Sequence, residues 1–178
     1  MPFALASLRM NRHSRSHEPG AMRVTLIDRF VREASNEIDY EGRRVHSAYL
    51  VPDIGDRDTL RVRWVGSVAE PVQGIQVHVR RGTFAVAGER AAHVVLWADT
   101  SPEIVDLDVI AKPRGSAIDV YLRNCWRGPS DTVRSSLGNA GMVVEQGDSD
   151  DVILRCSDGE GAPDFGDLVV AVSVLRPS

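Results

Sequence analysis

At 178 residues the chain has the size of one ordinary domain, long enough to bury a core without disulfides or metals to hold it. Its 43% hydrophobic and 26% charged residues are those of a globular protein, which excludes wholesale disorder. The net charge of -4 comes from 21 basic and 25 acidic residues with no basic tract in the folded region, so the electrostatic footprint of a nucleic-acid binder is missing.

Residues 1–21 place a short apolar patch ahead of Arg, His and Ser. That order is the reverse of a secretory signal, in which charge precedes a longer apolar run. The segment is expected to be a disordered leader, with Met10 and Met22 as alternative starts, ahead of a single domain over 22–178. The lack of a standard signal favours the cytoplasm, and no run approaches the roughly 18 apolar residues that a membrane helix needs. Cys125 and Cys156 are too few for a disulfide framework. A pair of reduced core residues and a single bridge both fit, and the usual burial of free Cys favours the first.

Residues 23–32 suit two periods: Val24 and Leu26 fit a strand, whereas the spacing of Leu26 with Phe30 and of Ile27 with Val31 fits a short helix. The strand is the expectation. Beyond Arg44 the period-2 pattern takes over, giving strands over 45–51, 59–65, 74–80, 83–87, 94–98, 104–110, 118–126, 142–146, 151–157 and 168–175. The clearest alternation sets Leu60, Val62 and Trp64 against Arg61 and Arg63. Gly, Pro and Asp punctuate the intervals, as at Pro52 with Asp53, Gly55 with Asp56, and Gly128 with Pro129. About ten short strands without crossover helices predict an all-β fold, an antiparallel β-sandwich of jelly-roll-like kind.

Chemistry-bearing residues are sparse. Of the histidines in the folded part, His46, His78 and His93, alternation places His78 opposite the apolar row Ile75, Val77, Val79, as a solvated strand histidine. No His-x-His, Cys-x-x-Cys or His-Glu-x-x-His spacing occurs, and the glycines at 138 and 141 precede a strand rather than the helix N-terminus that a phosphate loop needs. On the strand over 118–126, Asn124 lies in line with Ile118, Val120, Leu122 and Trp126. If buried, its amide must find partners, because an unpaired polar group inside costs about 1–3 kcal/mol. Two readings follow: Asn124 ties a neighbouring loop such as that around Asn139, or Asn124, Trp126, Arg127 and Asn139 face a ligand.

Residues 157–168 then put Asp158, Glu160, Asp164 and Asp167 within ten residues, separated by glycines and a proline. Calcium takes oxygen ligands from such loops, so these four are the candidate metal set. Pairing with Arg123, Arg127, Arg134 or Arg155 is the alternative way to neutralise them. The segment 156–172, with Asp158, Gly159, Asp164, Phe165, Asp167, Val169 and Val170, resembles the acidic loop and following strand of calcium-dependent, sugar-binding lectin-type β-sandwich modules. Gly166 stands where their pattern has Asn. The runs LRVRW, VVLWADTSP and LRNCW are similar to small uncharacterised bacterial β-sandwich proteins.

The resemblance implies a non-enzymatic binding module that holds a carbohydrate or other polar small molecule through loops near the C-terminus, with calcium as cofactor. The alternatives are a structural or assembly module that docks a protein partner, and a small enzyme built around Asp158, Arg155 and His78. Neither a nucleic-acid partner nor a membrane span is expected.

Overall fold

Alternation decides which side chains go inside. In the computed structural model, which describes residues 24–148 and 150–177, Leu60 and Val62 are fully buried while Arg61 and Arg63 point outward to carboxylates. Among the described residues one α-helix, α1 (Leu26–Glu33), precedes the strands. The first seven strands are β1 (Glu37–Tyr40), β2 (Arg43–His46), β3 (Tyr49–Leu50), β4 (Thr59–Ser67), β5 (Gln73–Arg80), β6 (Gly82–Val86) and β7 (Glu89–Ala91). The remainder are β8 (His93–Trp97), β9 (Ile104–Ala111), β10 (Asp119–Arg127), β11 (Val133–Arg134), β12 (Gly141–Gln146), β13 (Val152–Ser157) and β14 (Leu168–Leu175).

They form two antiparallel sheets, so the fold is the expected all-β sandwich. The larger sheet has nine strands in the order β1-β2-β12-β13-β14-β4-β9-β6-β7. The smaller has β11-β10-β5-β8, with β3 also paired to β10. Inward rows from both sheets, among them Leu60, Val62, Ile75, Val77, Leu107, Val120, Leu122, Leu154 and Val170, make one core between them. The chain changes sheets at Arg81, whose φ of 59° makes the corner between β5 and β6. Glycine follows there because a Cβ at Gly82 would lie 2.8 Å from the Ile110 carbonyl oxygen.

Two expectations are corrected. Residues 26–33 are helical rather than a strand: Thr25 and Asp28 form a reciprocal capping box, and Leu26 and Phe30, four apart, bury one face. The strand expected over 45–51 divides, β2 belonging to the nine-stranded sheet and β3 to the five-stranded one. The chain crosses between sheets at Ser47 and Ala48, and the Ser47 amide bonds the Asn36 carbonyl at 2.9 Å instead of a strand partner. The short strands β1, β7 and β11 were not expected. The expected leader over 1–21 lies outside the described residues.

A second apolar cluster sits on the outer face of the nine-stranded sheet. Leu26 and Phe30 of α1 pack with Ile38 of β1, Val45 of β2 and Phe165 from the loop before β14. The helix thus covers one end of that sheet and holds the acidic loop against it. Replacing Phe30 by Ala should lower stability by about 3 kcal/mol, near the bottom of the range for truncating a buried aromatic because the cluster is peripheral. Urea unfolding checks this as a lower midpoint at unchanged slope.

Candidate functional site

The loop between β13 and β14 begins inside the sandwich and ends on its outer face. At its start the buried Asp158 carboxylate accepts hydrogen bonds from the Gln73 amide at 2.9 Å and from the Glu160 backbone N–H at 2.8 Å. The Asp158 N–H donates to an Asp167 carboxylate oxygen at 2.8 Å, which closes the loop on itself. Beside it, the Asn124 amide donates to the Ser157 carbonyl at 2.8 Å. Gln73 and Asn124 belong to the five-stranded sheet and Ser157 to the nine-stranded one, so these bonds tie the two sheets together at one end.

Trp126 is also buried, against this loop: a Cβ on Gly159 would come within 2.6 Å of its ring. Its indole N–H and the Gln73 side-chain oxygen, on directly paired residues, are buried without a partner among the described residues. Asn139 links two segments, accepting from the Leu26 N–H at 3.2 Å and donating to the Gly161 carbonyl at 2.5 Å. It satisfies one of the free amides at the start of α1 and anchors the acidic loop to it. Arg127 lies elsewhere, forked onto Asp99 at 2.8 and 3.2 Å with its guanidinium 4.8 Å from the Trp97 ring centre. Of the residues expected to face a ligand, Asn124 and Trp126 are therefore interior, Asn139 is a loop anchor, and Arg127 braces a different turn.

The four carboxylates expected to hold a metal are each engaged. Asp158 has its two N–H donors, Asp167 accepts from Asp158, and Asp164 accepts from the Gly166 N–H at 2.8 Å. Glu160 pairs with Arg134 at 3.3 Å on the surface. Among the described residues no three His, Cys, Asp or Glu side chains are gathered as a metal site. Burial raises the Asp167 pKa, and the neighbouring charges of Asp158 and Asp164 push the same way against the lowering hydrogen bond from Asp158.

The outer end of the loop borders a groove of about 600 Å³. Strands β2 and β12 pair only at His46 with Met142 and at Val45 with Val143. Beyond those pairs Arg43 and Arg44 stand on one side, and Glu145, with Arg155 from β13, on the other. Asp164 and Phe165 close the end. Phe165 adopts φ 57°, a left-handed conformation costly for a bulky side chain, held by the Asp164 turn and by burial of its ring edge-on to Tyr40. Arg155 bonds Glu145 at 2.7 Å, and Arg44 reaches Glu37 only at 3.8 Å. The Arg43 side chain makes no hydrogen bond or ion pair among the described residues. Arg43 and Arg44 went unnoticed as ligand contacts in the sequence because β2 and β12 are some hundred residues apart.

No protein-family model, no curated protein and no solved structure matches this chain.

The three residues of the enzyme alternative do not meet. His78 is exposed on the outer face of the five-stranded sheet, Arg155 on the outer face of the nine-stranded sheet, and Asp158 is buried between. Both cysteines are free and buried, and burial pushes the Cys125 thiol up to about 12 and raises Cys156 as well, so neither is a ready nucleophile.

Replacing Asn124 by Leu removes the side-chain donor from the buried Ser157 carbonyl, with an expected cost of about 2 kcal/mol by chemical unfolding. The raised pKa of Asp167 sets a second expectation. Above its folded pKa the ionised group weakens the fold; as pH falls towards the unfolded value of 3.8, the native state takes the proton first and stability rises. Asp167→Asn keeps an acceptor for the Asp158 amide but cannot titrate. Relative to this variant, wild type should gain stability from about pH 7 to about pH 4, and a relative loss over that interval would contradict the assignment.

Proposed function

We propose that this chain is a non-enzymatic binding module that holds a polar, anionic small molecule, a carbohydrate acid in the first instance, in the groove between β2 and β12. The observation that carries the reading is the unpartnered Arg43 guanidinium bordering that groove together with Arg44 and Arg155. Guanidinium forks suit carboxylate or sulfate groups, while Glu145 and Asp164 supply acceptors for hydroxyls. The groove volume falls within the roughly 300–1,000 Å³ range of small-molecule sites, and its mixed charges favour a polar occupant over an apolar one.

The strained Phe165 at the groove's end supports the same reading, since bulky residues in left-handed conformations cluster at functional sites. An assembly role has less support. The exposed large apolar residues are divided between the two sheets, Val65, Ile104 and Leu175 on neighbouring strands of one and Leu50 and Val133 on strands flanking β10 in the other, so no single face collects them all. Calcium dependence is a further element of the proposal: a cation on Asp158, Glu160, Asp164 and Asp167 would have to use oxygen lone pairs that their present donors leave free.

Thermal melts of chelator-stripped protein test both elements. A uronate oligosaccharide at 100 times its dissociation constant should stabilise by about 2.7 kcal/mol, a rise of roughly 5 to 10 °C at this size, while a neutral glucose oligosaccharide should give none. Changing Arg43 and Arg155 together to Ala should abolish the rise. A rise that needs calcium added back, and is lost in Asp164→Ala, would make the site calcium-dependent. Absence of any shift across uronate and sulfated glycans, with and without calcium, would refute the binding reading.

A further inference from the structure

The outer face of the five-stranded sheet, opposite the groove, carries two histidines side by side. His78 of β5 and His93 of β8 are directly paired across the strands, both exposed, with ring centres 6.0 Å apart. Pairing in this ladder is anchored by the Val79 N–H to the Ala92 carbonyl and the Ala98 N–H to the Gln73 carbonyl, both 2.9 Å. Those residues sit one and five positions from His78 and His93 along the strands, so the hydrogen-bonded pairs are the odd-numbered residues of β5. His78 and His93 therefore occupy a non-hydrogen-bonded pair, the register in which opposed side chains come closest.

We propose that His78 and His93 form a two-histidine site for a nitrogen-preferring divalent metal ion, copper, nickel or zinc. Two imidazoles bound to one ion at about 2.0–2.1 Å with a tetrahedral angle have ring centres about 5 Å apart. The observed 6.0 Å is within about 1 Å of that separation, and both side chains are exposed and opposed across the strand pair. Neutral imidazole suits these ions and not calcium or magnesium, which take oxygen ligands.

The surroundings leave the site open. The nearby guanidinium of Arg80 lies 5.4 Å from the ring centre of Tyr121, on β10, which flanks β5 on the side away from β8. Its charge is thus drawn away from His93. With two protein ligands, the remaining coordination positions belong to water or to groups of an incoming molecule. This site is independent of the groove, since it lies on the other sheet and uses none of the groove residues.

Isothermal titration of the full chain with Cu²⁺ and Ni²⁺, in wild type and in the His78→Thr, His93→Thr and double variants, tests the proposal. Thr is a good strand residue and both positions are exposed, so the metal-free melting temperature should hold in all variants. His13, His17 and His46 are retained throughout, so their background cancels. Wild type should bind one more equivalent than any variant. Because chelation makes the second contact intramolecular, each single variant should weaken the site roughly a hundredfold, enough to lose that equivalent at the concentrations that saturate wild type, and the double variant should lose the site altogether. Copper should bind more tightly than nickel, and calcium should give no signal. Equal stoichiometry and affinity in wild type and variants, or loss in only one of the two single variants, would overturn the site.

Discussion

The sandwich depends on a carboxylate it buries. Asp158 sits at the end where the two sheets meet, and a carboxylate out of water is tolerated only when its oxygens are hydrogen-bonded. The Gln73 amide and the Glu160 N–H meet that requirement, and in doing so they fix the first turn of the loop and join it to the opposite sheet. Asn124 repeats the device one strand over by binding the Ser157 carbonyl. From there the loop has little freedom. Gly159 must be bare to lie on Trp126, Asn139 must reach Gly161, and Phe165 is delivered to the outer cluster, where it borders the groove. A polar tie inside the protein thus sets the position of a surface feature several residues away.

Much of the fold was legible because β4, β5, β9 and β10 alternate cleanly, and a half-buried strand has no other way to place its side chains. What escaped notice was short or ambiguous. The eight residues of α1 are too few for a helical period to stand clear of an alternating one, although the Thr25 and Asp28 spacing is a capping signal that decides it. The division of residues 45–51 was not legible, since β3 exists only because β10 is there to pair with it.

The site was legible in kind and not in geometry. The carboxylates and turn residues of 158–167 stand out in any reading of the chain; of the four arginines offered as partners for them, Arg134 pairs with Glu160, while Arg127 and Arg155 pair with Asp99 and Glu145. Their remaining partners are invisible at that level. Gln73 is 85 residues from Asp158 and Asn124 is 33 from Ser157, and nothing local marks either as a partner. The same holds for Arg43 and Arg44, an unremarkable pair after a turn until β12 is placed beside them. Cross-strand neighbours such as His78 and His93 require the register itself, which period alone does not supply.

The strand order has a consequence for how the molecule comes into being. β12, β13 and β14 are made late in the chain yet lie in the middle of the nine-stranded sheet, between β2 and β4. As the polypeptide leaves the ribosome, β5, β8 and β10 can pair among themselves, and β4 can join β9 and β6, while β2 and β4 each keep an open edge. Only after residues 141–175 emerge are both edges filled at once, by pairings that span about a hundred residues and carry a high loop-closure entropy. Until then the nascent protein displays two unfilled strand edges, the surfaces most prone to pair with another chain. Of the described strands, the latest in the chain are the ones that turn two partial sheets into one.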